Sequence, residues 1–288
     1  MTGDSIGIRP RRCTMFLPGV SPDMFAKAMA LEVDGVCVDL EDAVAPEEKD
    51  AARERTLPLF ADTAPTDNTL AILRINSLRT REGLTDMLAV LDSDTPPPAL
   101  LLPKVDNASE VLWAEELLVT AKRPVELYAL IETNLGLENV FEIARATPLL
   151  KCLVFGAADM SAALNAKNEW APLLYARSRV QHAAAGAGVD VIDVPHLDLD
   201  DEEGLRHDAH AGQALGFAGK FAIHPKQVAA INEAYTPSDE AVAYARKVVA
   251  AFEKQPTGLL VVDGKLIEKP VLRAIRRTLA IAEQTGRV

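Results

Sequence analysis

Hydrophobic positions along this chain gather into eight short runs, at residues 14–17, 35–40, 70–75, 99–102, 126–131, 152–155, 189–194 and 220–223. The spaces between them mostly hold about 15–30 residues with apolar positions at helical spacing, enough for crossover helices. Several runs are nearly continuous instead of alternating, which is how a parallel strand covered on both faces reads. Eight such strand and helix units predict an α/β fold, a closed TIM-type (β/α)8 barrel. The helix boundaries are legible. Ser21 before Pro22 opens a helix over 23–31, and Asp106 or Asn107 caps one over 108–121. Pro96, Pro97 and Pro98 close the helix before the fourth strand, and Gly186 and Gly188 interrupt the one before the seventh. After His224-Pro225-Lys226-Gln227 the pattern changes to an amphipathic helix over 237–253, an extended segment over 258–268 with an Asp263-Gly264 turn, and a helix over 271–282. That tail is small for a core of its own. Residues 1–235 therefore read as the barrel and 236–288 as a small C-terminal helical lid or oligomerisation extension, packed on the barrel or on a neighbouring subunit.

Composition narrows the class. With 288 residues, 49% of them hydrophobic and 25% charged, the chain can bury a large core. A formal charge of -12 argues against a nucleic-acid footprint, which needs a dense basic surface. No apolar stretch approaches the roughly 18–20 residues that cross a bilayer, and the polar, basic start through Arg12 lacks the apolar centre of a signal peptide. No membrane role and a cytoplasmic location are the default expectation. Cys13, Cys37 and Cys152 each sit inside an apolar run without C-x-x-C spacing and read as buried thiols. The acidic segment 198–203 reads as a solvated helix start. Arg9, Arg11 and Arg12 suit either the docking of an anionic ligand group or a flexible basic terminus.

Candidate chemistry collects where the runs end, the catalytic face of a barrel of this kind. Asp39, Glu41 and Asp42 place three acids within four positions, which calls for a nearby cation or a shared proton unless the cluster only favours a helix start. Arg74 inserts a permanent cation at the end of the third run, to be paired with Glu41, Asp39 or a substrate oxyanion. Lys104 lies at the same end of the fourth run. Glu132 and Asp159 end the fifth and sixth runs, and two carboxylates completed by water or substrate oxygens suit Mg²⁺. Gly156, Ala157 and Ala158, like Pro18 and Gly19 after the first run, are small or turn-forming enough to bring backbone N–H groups to a ligand, or are simply tight turns. His224 ends the last run as an acid–base group or a hydrogen-bonded histidine beneath the mouth.

The segments Arg12-Cys13-Thr14-Met15-Phe16-Leu17-Pro18-Gly19, Asp39-Leu40-Glu41-Asp42-Ala43-Val44, Arg74-Ile75-Asn76, Leu102-Pro103-Lys104, Leu130-Ile131-Glu132-Thr133, Gly156-Ala157-Ala158-Asp159 and 216–225 occur in order across essentially the whole chain. Together they resemble the citrate lyase β-subunit-like proteins of the aldolase and citrate lyase superfamily, a group that includes malyl-CoA and citramalyl-CoA lyases. The resemblance implies a TIM-type barrel with Mg²⁺ on Glu132 and Asp159 and with Arg74 on the substrate's reacting oxygens. It also implies a C-terminal extension that closes over a neighbouring subunit's site, in a homotrimer or homohexamer. In free-standing CoA lyases that extension carries a catalytic aspartate in a segment like Asp-Gly-x-Met-Ile-Asp. Here the segment is Asp263-Gly264-Lys265-Leu266-Ile267-Glu268, so the position falls to Glu268, one methylene longer.

These readings combine into an expected Mg²⁺-dependent lyase that reversibly cleaves a β-hydroxyacyl-CoA into a 2-oxo acid and an acyl-CoA. Arg74, Glu41 and Glu268 are assigned to catalysis, and Gly156, Ala157, Ala158, Pro18 and Gly19, with Arg74, to substrate binding. Arg12 and Lys49 are assigned to the CoA phosphates. The competing expectations are a malyl-CoA thioesterase or citrate lyase β subunit, a 2-oxo acid aldolase without CoA, and a non-catalytic CoA-ligand binder.

Overall fold

The computed structural model describes residues 9–64, 68–123, 125–254 and 259–286, apart from the side chains of residues 259, 268–271 and 273. It divides into two compact units, one of residues 11–232 and one of residues 9–10 with 233–286. In the first, eight parallel strands close in sequence order: β1 (Cys13–Pro18), β2 (Gly35–Asp39), β3 (Leu70–Arg74), β4 (Ala99–Leu102), β5 (Glu126–Ile131), β6 (Leu150–Phe155), β7 (Asp190–Asp193) and β8 (Gly219–Ala222). Closure is made by β1 against β8, where Cys13 pairs with Lys220 and Met15 with Ala222. This is the TIM-type barrel that eight apolar runs separated by helical spacers predict.

Both faces of each strand are buried, for different reasons. Cys37, Ile72, Leu101, Tyr128, Leu130, Cys152, Val154, Ile192 and Phe221 belong to one apolar cluster drawn from seven of the strands, against which Phe16 of β1 packs. Alternate positions such as Val36, Val38, Leu73 and Leu100 are equally buried and turn toward the helical layer. The three thiols are buried, as expected.

Helix ends follow their local chemistry unevenly. Asn107 caps helix Ala108–Thr120 by accepting from Ser109 N–H, and Gly188, in the left-handed region at φ 77°, ends helix Trp170–Ala187. Ser21 makes no side-chain cap, and the helix expected over 23–31 is a 3₁₀ turn, Pro22–Met24, leading into the five-residue helix Phe25–Met29. A chain that turns twice in this short crossover, with Ser21 N–H on Pro18 O and Met24 N–H on Ser21 O, has little room for regular α-helix.

Arg11 and Arg12 sit at the N-terminal end of β1. Arg11 donates to the Tyr128 hydroxyl at 3.0 Å and to Asp190 Oδ2 at 2.6 Å, at the first residue of β7. Arg12 holds Asp34, just ahead of β2, through side-chain bonds of 2.9 and 2.7 Å and a backbone bond of 2.7 Å. Both cations tie the end of the barrel opposite the mouth.

The second unit carries helices Asp239–Lys254 and Lys269–Gln284 and a two-stranded antiparallel sheet of β9 (Leu259–Val262) and β10 (Lys265–Glu268). Asp263 (φ 50°) and Gly264 (φ 76°) turn the chain between the strands, as that pair of residues predicts. Ala245, Val248, Phe252, Val262, Ile267 and Ile275 form an apolar cluster. The tail therefore does assemble a small core, because the hairpin folds onto the apolar stripes of both helices. Glu268 closes β10, and its side chain lies outside the described residues. Among the described residues no helix is long and apolar enough to cross a membrane.

Candidate active site

Strand register assembles the mouth of the barrel. Asp39 and Arg74 are paired positions at the ends of β2 and β3. Their side chains make a two-pronged ion pair, with Arg74 Nε donating to Asp39 Oδ1 at 2.6 Å and Nη2 to Oδ2 at 2.5 Å. Asp39 also accepts from Glu41 N–H at 2.8 Å and Ala43 N–H at 3.0 Å, which coils the acidic segment around one carboxylate. The third guanidinium nitrogen of Arg74 lies 3.0 Å from Glu41 Oε2 and 3.5 Å from Asp42 Oδ2. Below it, the guanidinium carbon sits 5.1 Å from the Phe16 ring centre, and Phe16 stacks on Phe221. Arg74 thus caps the apolar interior and presents its charge to the mouth. Burial opposes that charge, but Asp39 and Glu41 raise the guanidinium's proton affinity above its ordinary value.

Glu132 follows β5 directly, and Ile131 pairs with Phe155 of β6, the residue before Gly156. Thr133 then caps helix Asn134–Glu138 by accepting from Gly136 N–H, so the chain turns sharply and leaves Glu132 at the mouth. Lys104, at a left-handed φ of 52°, turns its N–H onto Glu132 Oε1 at 3.0 Å. Gly156 N–H is taken by Ile131 O, and a Cβ on Gly156 would stand 2.4 Å from Glu132 Cβ and 2.6 Å from its Oε2. The glycine therefore makes room for the carboxylate instead of donating to a ligand. Asp159 lies in helix Ala157–Ala163 beyond it.

The two carboxylates differ in a useful way. Glu132 is 4% exposed, whereas the Asp159 side chain is 44% exposed, so one oxygen ligand is fixed inside and the other is open to an incoming molecule. Burial, with the charges of Asp159 and Glu41 nearby, pushes the Glu132 carboxyl up to about 8. Glu41 is also raised, first by burial, against the pull of Arg74 and Lys104. The Lys104 ammonium bonds Glu41, stands 3.3 Å from Asp42 and 3.5 Å from Asp159, and is held charged by them although burial opposes it. A cluster with this excess of carboxylate oxygen fits a hard divalent cation. Among the described residues no group of three or more His, Cys, Asp or Glu could cage an ion. The set that remains is two carboxylates, the sparse arrangement that suits Mg²⁺ and leaves positions for water and substrate oxygens.

One cavity of about 990 Å³ holds Pro18, Asp39, Asp42, Arg74, Glu132, Gly156, Ala157, Ala158 and Asp159 in its wall. Several assignments made from sequence change here. Arg12 ion-pairs with Asp34 at the far end of the barrel, away from the mouth, and does not reach the site. Lys49 donates to Leu40 O, Glu41 O and Asn76 Oδ1, so its ammonium fastens the loop after β2 and is not free for a phosphate; burial lowers its proton affinity. Gly19 N–H is spent on Asp39 O at 2.8 Å, and the residue is glycine because a Cβ would press on Leu40 and Asp39 O. His224 caps a short 3₁₀ turn, its Nδ1 accepting from Lys226 N–H. Sequence reasoning missed the far wall, where Trp170, Arg177, His196 and Asp208 line the same cavity. Arg177 lies mid-helix in Trp170–Ala187, and no local pattern marks it.

A family model described as HpcH/HpaI aldolase/citrate lyase matches residues 12–225, and the chain belongs to that family. It is 34% identical to the L-malyl-CoA/beta-methylmalyl-CoA lyase of Cereibacter sphaeroides, over 96% of this chain and 95% of that protein. It is also 34% identical to a (3S)-malyl-CoA thioesterase of the same organism, over 95% of each. Among solved structures, CitE of Mycobacterium tuberculosis in complex with magnesium, acetoacetate and coenzyme A superposes with a TM-score of 0.78 at 31% identity, over 96% of this chain and 100% of that one.

Proposed function

We propose that this protein is a Mg²⁺-dependent carbon–carbon lyase that reversibly cleaves a β-hydroxyacyl-CoA of the malyl-CoA or citramalyl-CoA type into a 2-oxo acid and an acyl-CoA. The observation that carries this reading is the buried Arg74 guanidinium facing the Glu132 and Asp159 carboxylates in one cavity. Glu132 and Asp159 would hold Mg²⁺, which would supply Lewis acidity to the oxygens of the oxo-acid portion. Arg74, fixed by Asp39 and therefore preorganised, stabilises the oxyanion that develops as the carbon–carbon bond breaks. Glu132 stays buried and oriented by Lys104 N–H, and Lys104 Nζ balances Glu41 and Asp42 at the rim. Glu268, on the C-terminal hairpin of another subunit, exchanges the proton, in a homotrimer or homohexamer whose extension, residues 236–288, acts as lid.

The test is incubation with acetyl-CoA or propionyl-CoA, Mg²⁺ and a panel of 2-oxo acids, with products resolved by mass. Condensation with at least one acid, and loss of it in Glu132→Ala and Asp159→Ala, supports the reading. Full activity in either variant would overturn the metal assignment. Release of free CoA without a matching oxo acid would assign the thioesterase reaction, which a relative of equal identity carries in its name.

A further inference from the structure

Glu132 is aimed by a single backbone donor, and that donor belongs to a residue in a conformation that needs support. Glu132 Oε1 accepts from Lys104 N–H at 3.0 Å, and Lys104 reaches this position with a left-handed φ of 52°. A residue with a side chain rarely adopts that region unless its surroundings hold it there. The hold comes through the carbonyl of the same residue, since Lys104 O accepts from Arg79 Nη2 at 2.7 Å. Val105 N–H, next along the chain, bonds Leu130 O at 3.3 Å.

Arg79 lies in the loop between β3 and helix Arg81–Asp92, and its Nη1 donates to Asp106 Oδ2 in the loop after β4. Asp106 Oδ1 accepts from Thr133 Oγ1, and Asn139 Nδ2 pins the Asp106 carbonyl at 2.8 Å. Thr133 directly follows Glu132, and the same hydroxyl caps helix Asn134–Glu138 by accepting from Gly136 N–H. The contacts therefore close into a circuit that runs from Glu132 through the Lys104 peptide, Arg79, Asp106 and Thr133 back to Glu132. Glu110 backs it, taking Asp106 N–H at 3.1 Å with Oε2 3.8 Å from Arg79 Nε. Glu132 lines the cavity, whereas Arg79, Asp106 and Thr133 do not. What Arg79 and Asp106 do for the site thus passes through Glu132 and Lys104.

We propose that Arg79 and Asp106 are a positioning pair for the metal site, which holds the left-handed Lys104 peptide on one side and Thr133 on the other and so aims the Glu132 carboxylate at the cation. This rests on the reading of Glu132 as a Mg²⁺ ligand. With the pair broken, the Lys104 peptide is free to relax and its N–H leaves Oε1. A buried carboxylate beside the charges of Asp159 and Glu41 then loses its fixed donor. Charge alone predicts the reverse for the arginine, because removing a cation from this neighbourhood favours a bound cation. The sign of the effect separates positioning from electrostatics.

Mg²⁺ binding is measured by calorimetry, without substrate, on the parent, Glu132→Gln, Arg79→Ala, Asp106→Asn and the double variant Arg79→Ala/Asp106→Asn. An affinity about 10- to 100-fold weaker in Arg79→Ala, the loss typical of a group that orients a metal ligand, supports the proposal. The metal-free Tm of that variant is expected to stay close to the parent's, since a half-exposed ion pair adds little stability. The double variant is expected to bind within about twofold of the weaker single variant, because the two residues act as one unit. Unchanged or tighter binding by Arg79→Ala overturns the proposal, as do fully additive losses in the double variant. Circular dichroism establishes folding; if Arg79→Ala does not fold, Arg79→Gln takes its place under the same criteria. No Mg²⁺ binding by the parent, or full binding by Glu132→Gln, defeats the metal reading and the pair's role with it. Binding that Glu132→Gln loses and Arg79→Ala keeps defeats the pair's role alone.

Discussion

Arg74 and Asp39 meet through two parallel hydrogen bonds of 2.6 and 2.5 Å at paired positions of neighbouring strands. Asp39 touches no reacting atom in the proposed chemistry, yet it sets where the guanidinium points. Asp39→Asn keeps the shape and removes the charge, leaving a buried cation with weaker acceptors. Breaking a buried pair from one side costs about 3–5 kcal/mol. Urea unfolding is expected to show that loss for Asp39→Ala and a smaller one for Asp39→Asn. Arg74→Lys, which cannot grip both oxygens, is expected to lower kcat by about 10²–10³ with the fold intact.

The raised Glu132 carboxyl makes the metal-free protein sensitive to pH. A carboxyl whose folded pKa is about 8, against 4.5 for the ordinary group, binds its proton more tightly in the native state. Its stabilising contribution is complete below the unfolded value and is lost as pH rises toward about 8. Mg²⁺ competes with that proton. Thermal melts with and without Mg²⁺ are expected to show a larger metal-induced rise in Tm at pH 9 than at pH 6. Glu132→Gln is expected to abolish the difference; a metal effect of equal size at both pH values would contradict it.

Gly156 provides a narrow test of the metal pocket. The alanine methyl in Gly156→Ala would stand 2.6 Å from Glu132 Oε2, and the carboxylate must move. Calorimetry is expected to show Mg²⁺ affinity reduced about 10- to 100-fold, comparable to the loss of a group that orients a metal ligand. Far-ultraviolet circular dichroism should stay close to that of the parent.

Lys49 separates a structural cation from a ligand-binding one. Its ammonium serves three acceptors on two loops. Lys49→Met is therefore expected to destabilise the protein by about 1–3 kcal/mol in denaturant unfolding. KM for the acyl-CoA should hold within about twofold, since phosphate contact would contribute far more than that. A large rise in KM with unchanged stability would restore Lys49 to the CoA site.

Much of the barrel was legible in the sequence because burial on both faces of a parallel strand writes itself as a continuous apolar run, as in 35–40 and 70–75. Acids and arginines that interrupt the C-terminal ends of such runs stand out, which is how Arg74, Glu132 and Asp159 were found. Arg12 and Lys49 misled because a basic residue near a motif carries no sign of which end of the barrel it faces. Arg12 precedes its strand and meets Asp34; Lys49 turns back onto carbonyls eight and nine residues away.

Local pattern by itself determined the strand and helix alternation, the buried thiols and the carboxylates at the strand ends, since these depend on periodicity and on what a short segment can bury. Only the tertiary structure decided that Asp39 is the partner of Arg74, that Gly156 yields space to Glu132, and that Arg177, Trp170, Asp208 and His196 share one wall. Those relations join residues up to dozens of positions apart through strand register and barrel closure, and no local spacing encodes them.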